Sequence, residues 1–180
     1  FDPLGMKDTS FAVPESEINR FTSMYTHKGA SVGEIQREFN DEIFPDDLIL
    51  MDSYEESPYL KINKVEDGGS GLISTAEDYL KFGQMLNDKG SFEGKTILSE
   101  EAFKMLSESH IEDFGLLGIV SLGVGQAICM AKISNPAFSQ FYQSEGSLFW
   151  GGAASTIFWA DPVENIAVSY THLRAHETRS

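Results

Sequence analysis

The chain has 180 residues, 41% of them hydrophobic and 12% aromatic, with a formal net charge of −15. That is the size of one ordinary domain, with enough apolar content for a packed core and too much for a disordered chain. The acidic balance repels phosphate backbones and anionic lipid, so nucleic acid is not an expected partner, and no apolar run reaches the length of a membrane span.

Residues 1–14 read as the end of a helix or a loop running into a turn, and residues 15–39 are of mixed polarity. Within the latter, Ser31-Val32-Gly33-Glu34 is a candidate start for a short helix. Residues 41–56 form an acidic stretch with Asp46, Asp47, Asp52, Glu55 and Glu56 and little regular period, read as a solvated surface loop or as part of a substrate-facing lid. After the glycines of Gly68-Gly69-Ser70-Gly71, Ser74 and Glu77 stand at capping-box spacing. Leu80, Phe82, Met85 and Leu86 then give a helical apolar stripe. A phosphate-binding reading of this glycine loop fails, because no Gly-Lys-Ser/Thr follows and Glu77 and Asp78 already supply negative charge to the helix start. A second helix is expected over residues 99–106, opened by Ser99 and two acids.

Residues 122–130 read as a strand, with Cys129 as a small buried hydrophobe in it. Cys129 is the only cysteine, so no internal disulfide is possible. Residues 168–178 resemble the translation of a transposase-type sequencing adapter, which divides the chain into a domain over 1–167 and a tail over 168–180 that is not part of the fold. Setting the tail aside makes the net charge one unit more negative, since it holds Arg174 and Arg179 against Glu177. It also removes His172 and His176, whose spacing of four imitates a helical metal pair. With His27 and His110 as the remaining histidines, no metal site and no cofactor are expected.

The most informative segment is residues 148–162. Two aromatic and β-branched runs flank Gly151 and Gly152, and Asp161-Pro162 closes the second run, so both flanks read as strands. Glycines inside a strand mark either a bulge or hairpin corner, or a place where a ligand lies against main-chain N–H groups.

Four ordered motifs carry a resemblance that covers nearly all of residues 1–167. They are Phe1-Asp2-Pro3-Leu4-Gly5, Gly68-Gly69-Ser70-Gly71-Leu72-Ile73-Ser74-Thr75-Ala76-Glu77-Asp78-Tyr79, Trp150-Gly151-Gly152-Ala153, and Phe158-Trp159-Ala160-Asp161-Pro162. Together they resemble the serine β-lactamase superfamily, and within it the class C β-lactamase-related serine hydrolases that include carboxylesterases. The resemblance implies an α+β fold, an antiparallel sheet flanked by helices, of which this chain is the C-terminal part. It implies a bacterial serine hydrolase working through an acyl-enzyme on small-molecule esters or amides, with oligomeric state and compartment left open. Such enzymes use a Ser-x-x-Lys nucleophile motif, a Tyr-x-Asn motif and a third motif, Lys-Thr-Gly or a variant, on a strand facing the nucleophile.

Trp150-Gly151-Gly152 matches that third motif, which makes these three residues the expected substrate-binding positions. By the same match, Ala153 is the residue whose backbone N–H completes the oxyanion hole. Trp150 in place of lysine offers an apolar face and one N–H donor where a lysine offers an ammonium, which points from β-lactams toward esters. Trp150 reads equally as strand core packing. Neither Ser-x-x-Lys nor Tyr-x-Asn occurs in the sequence, and Tyr142-Gln143-Ser144 lies too close to the third motif to replace the latter. Both are expected upstream of Phe1, so the chain alone is expected to be inert toward activated esters and chromogenic cephalosporins. The rival expectation is a non-catalytic ligand- or peptidoglycan-binding protein of the penicillin-binding-like fold.

Overall fold

A computed structural model describes residues 1–27, 48–61, 65–69, 71–111, 115–116, 119–120, 122–139, 141–152 and 156–171. The chain divides into two units. One comprises the described residues of Asp8–Ser74, with Gly152, Thr156 and Thr171. It begins with a 3₁₀ helix over Glu15–Arg20, capped by no side chain but fastened by Arg20, whose guanidinium donates to Asp8 and Glu17 at 2.7–3.1 Å. Strands β1 (Met24–His27) and β2 (Leu48–Asp52) then pair antiparallel. The sequence reading puts a loop where β2 lies; the run Leu48-Ile49-Leu50-Met51 is a strand signal obscured by its acidic flanks. Ser31-Val32-Gly33-Glu34 and residues 41–47 lie outside the described residues.

The other unit comprises the described residues of Phe1–Lys7, Thr75–Gly151 and Ile157–Tyr170. Helix α1 (Ala76–Asn87) opens on Thr75, whose hydroxyl accepts from the Asp78 N–H at 3.2 Å. The cap therefore falls one residue beyond the predicted Ser74. Within the Asp8–Ser74 unit, the Ser74 hydroxyl is engaged instead by Thr9, at 2.8 Å. Asp78 is buried and faces the Lys81 ammonium at 2.7 Å, one turn on, while the same ammonium donates to the Gly5 carbonyl at 2.9 Å. This ties the Phe1-Asp2-Pro3-Leu4-Gly5 turn to the helix. Strands β3 (Ser91–Phe92) and β4 (Lys95–Thr96) form a small hairpin. Helix α2 (Glu100–Ser107) starts as predicted, with the Ser99 hydroxyl accepting from the Ala102 N–H at 3.2 Å. A second small hairpin joins β5 (Gly115–Leu116) to β6 (Ile119–Val120).

The remaining strands are β7 (Val124–Gln126), β8 (Ala131–Ile133), β9 (Leu148–Gly151), β10 (Thr156–Asp161) and β11 (Ile166–Thr171). They make one five-stranded sheet in the order β11-β10-β9-β8-β7, with β7 to β10 paired antiparallel in sequence. Residues 168–171, assigned from the sequence to the tail, lie in β11; His172 and His176 lie outside the described residues. Residues 122–130, read as a single strand, instead supply β7 and the turn into β8. Ala127 N–H donates to the Met130 carbonyl at 2.9 Å, and Cys129 sits at φ 59° in the turn. Cys129 is exposed, not buried, because the turn carries its side chain out of the sheet. Among the described residues no helix is long and apolar enough to cross a membrane.

The period of two along the strands sorts the core into two layers. On one face Leu148, Phe158 and Ala160 pack with Met85 and Leu86 of α1, flanked by Tyr79, Phe82 and, from α2, Phe103 and Leu106. Tyr79, Phe82 and Phe158 form an edge-to-face trio with ring centroids 5.0–5.8 Å apart. Val124, Ala131, Ile133 and Phe149 form the other layer, flanked by Phe141 and Trp159. Each fully buried aliphatic or aromatic side chain here stabilises the fold by about 1.5–3 kcal/mol. One glycine is fixed by backbone geometry: Gly123 has φ +75°, and a β-carbon there would run into the Asn135 carbonyl, the neighbour whose own N–H donates to Gly123 at 3.0 Å. Gly123→Ala is expected to lower unfolding stability by about 2 kcal/mol, readable as a shift of the urea midpoint at unchanged slope.

Candidate active site

The aromatic run Leu148-Phe149-Trp150 and the run Ile157-Phe158-Trp159 form the β9–β10 hairpin arms, in the register Gly151↔Ile157, Trp150↔Phe158, Phe149↔Trp159 and Leu148↔Ala160. Trp150 is half-buried and packs against both core layers, so its indole has the packing role that the sequence left open. Gly151 is exposed at the last position of β9. In the other unit, Gly152 donates its N–H to the Thr156 carbonyl at 2.8 Å, and a β-carbon on Gly152 would collide with the Thr156 hydroxyl. Ala153 lies outside the described residues.

The decisive feature is the flank of β9 that faces β8. The Ile133 N–H donates to the Ser147 carbonyl at 2.9 Å, and two residues on Phe149 pairs with Ala131. By the alternation of an antiparallel ladder, the polar groups of every second residue point to the same neighbour. Ser147 therefore turns its C=O toward β8, its N–H going to the Ser144 carbonyl at 3.2 Å, and Phe149 and then Gly151 turn both their N–H and C=O that way. Among the described residues the β8–β9 ladder ends at Ala131↔Phe149, because β8 begins at Ala131 and the chain before it bends through Cys129. Among the described residues, therefore, no β8 residue pairs with Gly151, which is exposed beyond the last rung.

The opposite end of the hairpin is fastened. Asp161 is only 5% exposed, and its carboxylate accepts from the Ser144 N–H at 2.9 Å, the Val163 N–H at 3.0 Å and the Glu164 N–H at 3.1 Å. Burial alone would raise the carboxyl pKa. The backbone donors of Ser144, Glu164 and Val163, with the Ser144 hydroxyl, outweigh burial and hold it below the ordinary carboxylate range. Tyr142-Gln143-Ser144, read as loop, is loop, and its function is this anchoring. Burial pushes the Tyr79 phenol up, in keeping with its place among the rings under β10.

The sequence places the chain among known proteins. Residues 1–180 match the family model described as Beta-lactamase. Protein Rv1367c of Mycobacterium tuberculosis is 28% identical over 176 residues, covering 93% of this chain and 40% of that protein. The chain therefore spans about two fifths of the length of the curated relatives it matches. In structure it resembles EstCE1, a hydrolase with promiscuous acyltransferase activity, at a TM-score of 0.64 and 21% identity over 93% of this chain and 42% of that one. It also resembles simvastatin synthase LovD from Aspergillus terreus, with a TM-score of 0.64, 14% identity and coverage of 93% and 41%. A penicillin-binding protein homologue from Caulobacter crescentus gives a TM-score of 0.57, 16% identity and coverage of 93% and 43%. The antiparallel sheet with its flanking helices is the fold these structures share, and the chain belongs to the Beta-lactamase family of the serine β-lactamase superfamily.

Proposed function

We propose that this chain is the part of a serine hydrolase that supplies the oxyanion donor and one wall of the acyl pocket, in an enzyme acting on esters or related acyl substrates. The observation that supports the reading is the exposed Gly151 beyond the last β8–β9 rung among the described residues, in a family whose serine enzymes work by acyl transfer. A serine from a Ser-x-x-Lys motif, which this sequence does not contain, attacks the ester carbonyl. The carbonyl oxygen gains negative charge in the tetrahedral intermediate and needs N–H donors fixed in advance. Ala153, two residues beyond Gly151, is assigned that donor, Gly151 and Gly152 leave room for the acyl group, and the Trp150 indole borders it. A tryptophan here offers no ammonium to a substrate carboxylate, which favours uncharged esters over β-lactams.

The test uses the full-length protein. Fluorophosphonate labelling of a single serine, with hydrolysis of p-nitrophenyl butyrate, is the expected result. Ligand binding with neither labelling nor turnover would replace this reading with a non-catalytic binding protein. Trp150→Ala is expected to raise KM for bulky acyl esters severalfold and to leave kcat for p-nitrophenyl acetate within about threefold of the parent. A variant that loses kcat for all esters equally would assign Trp150 to the core alone.

A further inference from the structure

We propose that the cleft between the C-terminal ends of α1 and α2 and the strands β8 and β9 is a second ligand site, one that takes a short aliphatic hydroxycarboxylate. All its lining residues lie in one of the two units, and none belongs to the Trp150-Gly151-Gly152 segment. The cavity measures about 90 Å³. Leu86 of α1, Phe103 of α2 and Leu148 of β9 give it apolar walls, and Gly146 leaves another wall bare, since a β-carbon there meets nothing within 4 Å. An apolar cavity of roughly 150 Å³ takes benzene, so one of this size suits a chain of about three or four carbons.

The charged lining selects the sign of the ligand. Lys89 and Lys132 line the cavity, and no carboxylate does. Lys132 pairs with Leu148 across the β8–β9 ladder, so it stands on the helix-covered face of the sheet, where it is half-buried. Neither ammonium has an ion pair among the described residues, although the chain carries a net charge of −15. Helices α1 and α2 end at the lining residues Asn87 and Ser107. Each such end carries about half a negative charge, so two ammoniums against two helix ends leave roughly one positive charge. A single ionised carboxylate is its complement.

Asn87 accounts for the hydroxyl. Its side-chain oxygen is buried without a hydrogen-bond partner, and an acceptor left so is costly until a donor reaches it. An ionised carboxylate brings no donor, whereas an alcohol O–H does. A lysine stem lying over apolar surface explains Lys132 by itself. It leaves the cavity, the second lysine and the orphaned acceptor without an account.

The experiment titrates the full-length protein by calorimetry with 3-hydroxybutyrate, butyrate, n-butanol and inorganic phosphate. 3-Hydroxybutyrate is expected to bind about fivefold tighter than butyrate, and butyrate about tenfold tighter than n-butanol. Lys132→Gln is expected to weaken both acids about tenfold, with Lys132→Arg close to the parent. Lys89→Gln, at an exposed position where folding is not at stake, is expected to weaken them by a smaller factor. Asn87→Ala is expected to bring 3-hydroxybutyrate to the level of butyrate while leaving butyrate within about twofold of the parent. Equal binding of n-butanol and the acids, tighter binding of phosphate, or no saturable binding would overturn the site. So would acid binding that survives Lys132→Gln and disappears in Trp150→Ala, since the acid would then sit in the proposed acyl pocket. Calorimetry needs no turnover, so a protein that hydrolyses no ester leaves this test intact.

Discussion

Replacing the Ala153 amide by an ester linkage, through semisynthesis of the full-length protein, is expected to cut kcat by a hundred- to a thousandfold. That is roughly 3–4 kcal/mol of transition-state stabilisation, the usual value of a single oxyanion donor. The exchange removes one N–H and leaves the shape of the chain almost unchanged, so KM for the same ester should move little. Two side-chain variants bracket it. Ala153→Ser keeps the amide and is expected to retain most activity. Ala153→Pro removes the donor and is expected to lose turnover far more than binding, with added strain from the fixed ring. Equal kcat for the ester-linked and native proteins would reduce the Gly151-Gly152 segment to a bend in a sheet.

The second large effect concerns stability. Asp161→Ala removes the acceptor of three backbone donors, of which the Ser144 N–H is half-buried, and is expected to cost about 3 kcal/mol of unfolding free energy. The acid dependence has a definite sign. The folded-state pKa lies below the unfolded value of about 3.9. The stabilisation is therefore complete above that unfolded value and is lost as pH falls through the folded one. In urea titrations from pH 7 to pH 2, the stability gap between the parent and Asp161→Asn should narrow below about pH 4. A gap that stays constant would mean that the carboxylate is not held in its ionised form by these donors.

Much of this fold is legible in the sequence because its signals are local. Ser99 with two following acids opens α2 where it is expected, and the aromatic runs around Gly151 and Gly152 give both arms of the hairpin. The failures come from competition beyond the local pattern. Ser74 and Thr75 both suit a helix cap, and the cap is Thr75; Ser74 is bonded to Thr9, 65 positions away in sequence. The β7–β8 turn is hidden because Ala127-Ile128-Cys129-Met130 contains none of the residues that ordinarily mark turns. A cysteine at positive φ leaves no compositional trace. Of the proposed site, the Trp150-Gly151-Gly152 motif is read from a resemblance, whereas the end of the β8–β9 ladder short of Gly151 leaves no trace in the sequence. That end depends on where β8 begins, a matter of register between segments some twenty residues apart. The same holds for the Asp161 clamp on Ser144, which joins residues 17 apart and has no short-range signature.

The late start of β8, at Ala131, also bears on self-association. An open strand edge invites a neighbour's chain to pair with it, and long flat edges seed aggregates. Here the β8–β9 ladder stops one hydrogen-bonding position short of the end of β9, so the opening at Gly151 is a single peptide unit wide. A foreign strand needs several consecutive rungs to hold its register, and one rung gives it no such template. A small molecule with one carbonyl needs only one. On the proposed reading, the length of the gap selects by size, admitting a ligand to main-chain hydrogen bonding while giving polypeptide no register to hold.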